Sequence, residues 1–255
     1  MEKMWNLKYK IALVTGGSKG IGKAIVQEFV DLGATVIFAA RNEEEIKEVA
    51  SRFKNEGYPV FGKKADVTIA EDRKAVLNFI KERFNRLDIL VNNAGINIRK
   101  DSVTYSEEEY QKIIAINLIA PFELSRESFP LLSKSKSPVI INIASTAASF
   151  DVRSGTPYAM AKSGLVQQTR SLAVEWSPYG IRVNSVSPWY TETPLTEPVL
   201  SQKHRLRFIK ARTPLQRVAK PNEISGAVAF LSMDKASYIT GQNLNVDGGV
   251  SISAL

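Results

Sequence analysis

Cysteine is missing from the sequence, and histidine occurs once, as His204, among 255 residues. These absences exclude disulfides, thiolate catalysis and metal sites built from cysteine or from several histidines. No apolar run reaches the length of about 18 residues that a membrane span needs, and the run IALV before the first glycines is too short for a signal-peptide core. We therefore expect a cytoplasmic protein with no metal and no membrane partner.

Acidic residues are fewer than basic ones, 26 against 34, which leaves a net charge of +8. The excess is spread along the chain, with one local cluster in KHRLRFIKAR at 203–212. The sequence has neither a basic tail nor an RNA-binding signature. We interpret the cluster as a solvated helix face and predict no nucleic-acid partner, whereas charge-driven nucleic-acid binding would be steeply salt-dependent.

Internal repeats, low-complexity segments and linkers are absent too, so we predict one domain over 1–255. Continuous apolar runs, typical of strands buried on both faces, alternate with segments of helical periodicity. The predicted strands are 10–15, 34–40, 58–63, 87–92, 138–144, 181–186 and 243–246, and the predicted helices are 20–32, 43–56, 70–84, 106–132, 158–177 and 221–232. This alternation predicts an α/β fold, a Rossmann-type doubly wound parallel sheet of about seven strands with helices on both faces.

A glycine-rich segment, TGGSKGIG at 15–22, lies between the first predicted strand and the first helix. Gly16 suits a tight turn, Gly20 lets the backbone approach a pyrophosphate, and Gly22 lets the helix pack closely. Its position between strand and helix favours dinucleotide binding over a bare structural turn. The residues predicted to bind cofactor in this loop are Gly16, Ser18, Lys19, Gly20, Ile21 and Gly22.

The second predicted strand ends in FAARNEEE, with Arg41 at its tip. An NAD site needs an acid there for the ribose hydroxyls, whereas an NADP site needs a cation for the 2′-phosphate. Glu43 to Glu45 come later and suit the start of the next helix. Arg41 and Lys19 supply two cations with no acid at the tip, so we predict NADP(H) as the cofactor.

A tyrosine and a lysine stand four residues apart in TPYAMAKSG at 156–164. Thr156 suits a helix cap and Pro157 the first turn, so Tyr158 and Lys162 share one helix face. Hydride transfer to a carbonyl carbon builds negative charge on the oxygen, and a proton donor must be within reach. We expect Lys162 and the helix N-terminus to favour the phenolate of Tyr158.

Two further polar residues fit the same chemistry. Ser145 ends the predicted strand VIINIAS and can hydrogen-bond a carbonyl. Asn117 lies among apolar residues in YQKIIAINLIA, where a buried amide needs partners, and it can hold a water that links Lys162 to solvent. The candidate catalytic residues are Asn117, Ser145, Tyr158 and Lys162, and the alternative is a set of ordinary polar residues.

These motifs together resemble the short-chain dehydrogenase/reductase family in its classical type. The matching pieces are TGGSKGIG, Asp66 in ADV, NNAG at 92–95, the four candidate catalytic residues and VDGG at 246–249. The resemblance implies that Asp66 and Val67 flank an adenine, that Asn93, Ala94 and Gly95 line the cofactor cleft, and that Asn117, Ser145, Tyr158 and Lys162 form a catalytic tetrad. It also implies a homotetramer or homodimer.

Three segments, SPWYTETPLTEPVL, RTPLQRV and SYITGQNLNVDGG, are similar to the tropinone-reductase-like branch of this family. By resemblance, Pro188, Thr191 and Thr193 contact the nicotinamide end of the cofactor. Most relatives have Pro-Gly where this chain has Pro188-Trp189, so the indole either reshapes that end of the site or packs against a lid.

A long Pro-rich insertion follows the sixth predicted strand, at the carboxyl edge of the sheet where ligands bind, so we predict a substrate lid at about 189–213. Asp151 and Arg153 are candidates for contact with a charged substrate, and His204 is assigned to the exposed face of the lid. The predicted substrate wall includes Ile96, Asn97, Ala147, Phe150, Trp189 and Tyr190.

The sequence thus predicts an NADPH-dependent carbonyl reductase, run reversibly as a secondary-alcohol dehydrogenase, that acts on a small or medium cyclic ketone. Within the same class, the alternative is reduction of a 3-oxoacyl group on an acyl carrier protein, which a basic rim beside the lid suits. From another class, the alternative is an NADP(H)-binding regulator without turnover, although a regulator has no need of the tetrad.

Overall fold

The computed structural model describes residues 5–253 and contains one parallel sheet in the strand order β3-β2-β1-β4-β5-β6-β7. The strands are β1 Ile11–Thr15, β2 Thr35–Ala40, β3 Val60–Lys64, β4 Ile89–Asn92, β5 Val139–Ile143, β6 Arg182–Pro188 and β7 Asn243–Val246. Every residue of β1, β4 and β5 is buried, which explains why these strands are continuous apolar runs in the sequence. The predicted doubly wound α/β fold is confirmed.

The α-helices of the described chain are α1 Gly20–Asp31, α2 Glu43–Asn55, α3 Ala70–Phe84, α4 Glu107–Ile114, α5 Ala120–Leu132, α6 Thr156–Trp176, α7 Glu197–Leu200, α8 Lys203–Arg212 and α9 Pro221–Ser232. Helices α1, α2 and α9 cover one face of the sheet, for example through Phe29 and Phe53. Helices α3, α5 and α6 cover the other face, for example through Ile80, Leu132 and Trp176. Within residues 5–253, none of the helices is both long and apolar enough to cross a membrane.

The helix predicted over 106–132 is interrupted. A five-residue π-helical segment, Ala115–Ile119, separates α4 from α5 and contains Asn117. Such wide turns are frequent at functional sites, since the extra residue re-aims a side chain. The apolar periodicity on both sides of the segment does not reveal this local change of pitch.

The start of α6 also differs from the prediction. Gly155 precedes the helix as its N-cap with a φ of +95°, so Thr156 is the first helical residue and its prediction as the cap is wrong. A Cβ on Gly155 would lie 2.2 Å from the hydroxyl oxygen of Tyr105, which leaves no room for a larger cap residue.

The order of the strands determines where a ligand can bind. The chain runs outward from β1 to β3, then crosses back to place β4 on the other side of β1. In open α/β sheets, ligands bind beside such a reversal, at the carboxyl ends of the strands. The loops that follow β1 to β6 converge there.

Candidate active site

A cleft of about 560 Å³ lies at this edge of the sheet, between the loops that follow the strands. The structure brings all the predicted catalytic and cofactor-binding residues together in its lining. They are Gly16, Ser18, Lys19, Gly20, Ile21, Gly22, Arg41, Asp66, Val67, Asn93, Ala94, Gly95, Asn117, Ser145, Tyr158, Lys162, Pro188, Thr191 and Thr193.

The glycine loop has a shape that side chains would prevent. Gly16 and Gly20 have φ angles of +67° and +56°. A Cβ on Gly22 would lie 2.1 Å from the carbonyl oxygen of Gly16, so α1 approaches the loop as closely as backbone allows. Lys19 precedes α1 without a side-chain cap hydrogen bond, which leaves first-turn N–H groups for another acceptor. This cradle fits the diphosphate of a dinucleotide, because uncapped N–H groups and the helix dipole attract an anion.

Charged side chains of both signs meet at the end of the cleft beside β2. Arg41 Nη1 lies 3.9 Å from Oδ2 of Asp66, and Lys19 Nζ lies 3.1 Å from Oε1 of Glu45. The Ser18 hydroxyl donates to Oε2 of Glu45 at 2.8 Å, and the hydrogen bonds from Ser18 and Lys19 lower the pKa of the Glu45 carboxyl. Glu45 begins α2 as predicted, but its side chain reaches Lys19 in the cleft, so an acid lies beside one of the two cations although none stands at the tip of β2.

The NNAG segment holds the glycine loop in place. Asn93 Nδ2 donates to the carbonyl oxygens of Thr15 and Gly16 at 2.8 and 3.2 Å. The Thr15 hydroxyl accepts the backbone N–H groups of Asn93 and Ala94 at 2.9 and 3.0 Å. These contacts tie the end of β4 to the end of β1, so this motif has a structural role besides lining the cleft.

Asn117 is fixed by two backbone carbonyls. Its Nδ2 donates to Ile113 at 2.8 Å and to Ile96 at 2.9 Å, while its Oδ1 is buried and has no hydrogen-bond partner within residues 5–253. A Cβ on Gly95 would lie 2.8 Å from that Oδ1 and 3.7 Å from Lys162 Nζ, so both atoms lie within 4 Å of the same position beside Gly95. A buried acceptor without a partner is costly, which suits a position that a polar ligand or a water completes.

Tyr158 and Lys162 lie one turn apart on α6, and Lys162 Nζ is 5.7 Å from the centre of the Tyr158 ring. Burial raises the pKa of the Tyr158 phenol, and the nearby Ser145 hydroxyl and the charge of Arg99 offset part of that effect. Burial lowers the pKa of Lys162 to about 7, and its ammonium donates to the carbonyl of Ile143 at 2.8 Å. The free protein therefore does not have the lowered Tyr158 pKa that was expected from Lys162 and the helix N-terminus, because burial raises that pKa by more than its neighbours lower it.

The wall beside Tyr158 includes Ile96, Asn97, Trp189 and Tyr190, as predicted for the substrate side. Ala147 and Phe150 lie outside the lining, and the Phe150 ring instead faces Trp189 at a centroid distance of 6.3 Å. The candidates for a charged substrate, Asp151 and Arg153, are exposed residues outside the lining as well.

Trp189 joins this wall to the segment predicted as a lid, which contains α7 and α8. Its indole N–H donates to the Thr213 hydroxyl at 3.0 Å, and its ring meets Tyr190 edge to face at 4.8 Å. Both rings pack beside a small buried cluster of Val199, Ile209 and Val218. The indole therefore packs against this segment and also lines the cleft. The exposed residues of α8 include His204 and all five of its Lys and Arg side chains.

The polar lining residues that sequence reasoning did not assign individually include Glu45, Arg99 and Thr196, the last of which lies within the predicted lid. Arg99 follows NNAG in the loop after β4, and that position at the carboxyl edge was the available signal. Thr196 accepts the backbone N–H of Thr193 at 3.1 Å and donates to the carbonyl of Thr191, so it shapes the loop of both predicted threonines. No sequence pattern indicates such a contact.

Known proteins share this arrangement. A family model described as enoyl-(acyl carrier protein) reductase, one of those for short-chain dehydrogenases and reductases, matches residues 16–251. The chain belongs to the short-chain dehydrogenase/reductase family. Members of the family are oxidoreductases that act on CH–OH or C=O groups with a nicotinamide cofactor, so this protein is an enzyme of that class.

Relatives within the short-chain dehydrogenase/reductase family match over nearly the whole chain. A tropinone reductase homolog of Arabidopsis thaliana is 42% identical over 253 residues, 99% of this chain and 96% of the relative. A tropinone reductase homolog of Datura stramonium is 37% identical over 256 residues, again 99% and 96%. The crystal structure of a gluconate 5-dehydrogenase from Burkholderia cenocepacia J2315, in complex with NADP and tartrate, has a TM-score of 0.94 at 28% identity and covers 99% of both chains. The predicted family and its tropinone-reductase-like branch are confirmed.

Proposed function

We propose that this enzyme is an NADPH-dependent carbonyl reductase that interconverts a small or medium cyclic ketone and its secondary alcohol. The observation that supports it most is the Tyr158 phenol, which lines the same cleft as Ser145 and the glycine cradle and lies one helical turn from buried Lys162. A proton donor beside a dinucleotide site is what carbonyl reduction requires.

Ser145 and Tyr158 have separate roles in proton transfer. NADPH, when bound, supplies the hydride. The Ser145 hydroxyl holds the carbonyl oxygen, and Tyr158 gives its phenolic proton to that oxygen as negative charge develops. Burial raises the pKa of Tyr158, so the phenol is protonated at neutral pH, which is the form that reduction needs.

The proton that Tyr158 gives up has to be replaced. Because burial lowers the pKa of Lys162 to about 7, this side chain can both hold and release a proton near neutral pH. The buried Oδ1 of Asn117 and the ammonium of Lys162 border the same point beside Gly95, which supports a relay toward solvent through Asn117.

The preference for NADPH over NADH rests on the cations beside β2. Arg41 and Lys19 supply charge for a 2′-phosphate, and the matching gluconate 5-dehydrogenase structure contains NADP. Glu45 opposes this preference, because its carboxylate accepts a hydrogen bond from Lys19 at 3.1 Å and offsets that positive charge. We assign the cofactor as NADP(H), with a preference that Glu45 moderates.

A second candidate function is reduction of a 3-oxoacyl group on an acyl carrier protein. The five exposed cations of α8, next to the cleft wall, favour it, since they offer a surface to an acidic carrier. The matching family model is also described by an acyl-carrier-protein activity.

An oligomer, either a homotetramer or a homodimer, is part of the same proposal. Large apolar side chains are exposed along α4 to α6, among them Tyr110, Phe122, Met160 and Val174. Apolar patches of this kind on the surface of a folded chain favour contact with further subunits.

The experiment that tests the function follows NADPH oxidation by absorbance with a panel of cyclic ketones, diketones and 3-oxoacyl thioesters, and repeats it with NADH. Tyr158→Phe should lower kcat by about 100-fold or more, because the proton donor is removed. Tyr238→Phe is the matched control, since Tyr238 is fully exposed. A rate that survives in Tyr158→Phe contradicts the mechanism, and NADPH binding without turnover of any compound favours the regulator.

A further inference from the structure

Arg99 lines the cleft as a cation and, like buried Lys162, has no acidic partner among residues 5–253. Arg41 and Lys19 each have a carboxylate within 4.0 Å, whereas no carboxylate among residues 5–253 lies that close to Arg99. Within the described chain, its Nη1 reaches only the carbonyl oxygen of Leu195, at 3.5 Å, and its buried Nε has no hydrogen-bond partner. A guanidinium offers five N–H donors, so most of its hydrogen-bonding capacity is unused.

The acids of the cleft are committed elsewhere. Glu45 accepts hydrogen bonds from Ser18 and Lys19, and Asp66 accepts the backbone N–H and the hydroxyl of Thr68 at 2.9 and 2.7 Å. Both lie at the end of the cleft beside β2, next to Lys19 and Arg41, which are predicted to bind the cofactor. Among residues 5–253, the wall around Tyr158 therefore has a fixed positive charge, from Arg99, and no negative one.

Arg99 lines the same cleft as the reacting groups Tyr158 and Ser145. The charge of Arg99 lowers the pKa of Tyr158, the proposed proton donor, although burial has the larger and opposite effect. Asn97, two residues before Arg99, also lines the cleft. The Oδ1 and Nδ2 of its buried amide have no hydrogen-bond partner within the described chain either. This part of the wall is cationic, and the Nε of Arg99 and the Asn97 amide have no hydrogen-bond partner within residues 5–253.

We propose that the substrate carries a carboxylate, which Arg99 binds while Tyr158 and Ser145 hold the carbonyl that is reduced. The proposal rests on the reductase activity proposed above and names its substrate class. A planar guanidinium matches the two oxygens of a carboxylate with parallel hydrogen bonds. The same charge repels a cationic amino ketone such as tropinone, so the enzyme should discriminate against the compound for which its relatives are named.

The test compares two ketones of nearly the same shape, the anionic 3-oxocyclohexanecarboxylate and the neutral 3-oxocyclohexanecarboxamide, with NADPH as the reductant. The wild-type enzyme should favour the acid in kcat/KM by about 10- to 100-fold, the range of a charge-assisted hydrogen bond in a cleft. Arg99→Met should abolish that ratio and Arg99→Lys should keep part of it. Arg153→Met, at an exposed arginine outside the lining, should keep all of it.

A second measurement tests whether Arg99 forms an anion-binding site, and it does not depend on turnover. Cyclohexanecarboxylate, which has no carbonyl to reduce, is titrated into the NADP⁺-saturated protein in a calorimeter. We expect binding that weakens about 10-fold or more in Arg99→Met and is absent for cyclohexanecarboxamide. Such binding without reduction of either ketone would support the anion site and contradict the reductase. Equal binding of acid and amide, or acid binding unchanged in folded Arg99→Met, would overturn the inference.

Discussion

Replacing Lys162 by methionine should stabilise the free protein at neutral pH, although it removes a residue of the proposed catalytic group. The side chain is 4% exposed, and no carboxylate among residues 5–253 pairs with it. Methionine fills a similar volume without a charge to desolvate. Stability and catalysis should therefore respond in opposite directions to this single change.

The size of the effect follows from the pKa of Lys162, which burial lowers from 10.5 to about 7. The unfolded chain keeps this proton up to about pH 10.5 and the folded protein releases it near pH 7, so the penalty on folding is complete below pH 7 and fades as the pH rises to about 10.5. At about 1.4 kcal/mol per pKa unit, the full penalty is about 5 kcal/mol. Losing the hydrogen bond to Ile143 offsets about 1 to 3 kcal/mol of the gain.

The assay is urea unfolding of the cofactor-free protein, followed by tryptophan fluorescence at about pH 6.5 and pH 9.5. The free energy of unfolding of Lys162→Met should exceed that of the wild type by about 3 kcal/mol less at pH 9.5 than at pH 6.5. The reason is that the cost of burying protonated Lys162 falls by that amount between the two pH values. Lys74→Met, at an exposed lysine of α3, controls for the loss of a positive charge. The reasoning would be refuted if the difference in free energy of unfolding between Lys162→Met and the wild type stayed constant with pH. It would also be refuted if the variant were less stable than the wild type at both pH values.

Two further substitutions test the cofactor end of the cleft. Gly22→Ala places a Cβ 2.1 Å from the carbonyl oxygen of Gly16, so the cradle must open and the Kd for NADPH should rise by about 10-fold or more in a fluorescence titration. Glu45→Gln removes the carboxylate that occupies Lys19, so NADPH should bind about 3- to 10-fold more tightly while NADH changes little, as titrations with both cofactors would show.

Each of these substitutions has a matched control. Gly226→Ala changes a glycine of α9 whose added Cβ meets nothing within 4 Å, so NADPH binding should be unaffected. Glu44→Gln removes an exposed carboxylate next to Glu45 that makes no contact with Lys19. Unchanged NADPH affinity in Gly22→Ala, or equal gains for NADH and NADPH in Glu45→Gln, would contradict the assignments.

The fold was predictable because local and tertiary preferences agree along most of the chain. Strands such as IALVT and VIINI are apolar at every position, and burial on both faces of a parallel sheet requires that pattern. The π-helical segment at Ala115–Ile119 was not predictable, since its side chains fit an ordinary helix equally well. The start of α6 at Thr156 was missed for a related reason, because Tyr105, distant in sequence, decides which residue fits the cap position.

The sequence by itself determined the parts of the site that depend on backbone geometry or on spacing within one element. Glycines at positive φ in TGGSKGIG, and a tyrosine and lysine four residues apart on one helix, are such features. The tertiary structure decided the electrostatics, because desolvation and pairing arise only when distant segments meet. It buried Lys162, folded Glu45 onto Lys19, and left Arg99 in the cleft without a counter-charge among residues 5–253.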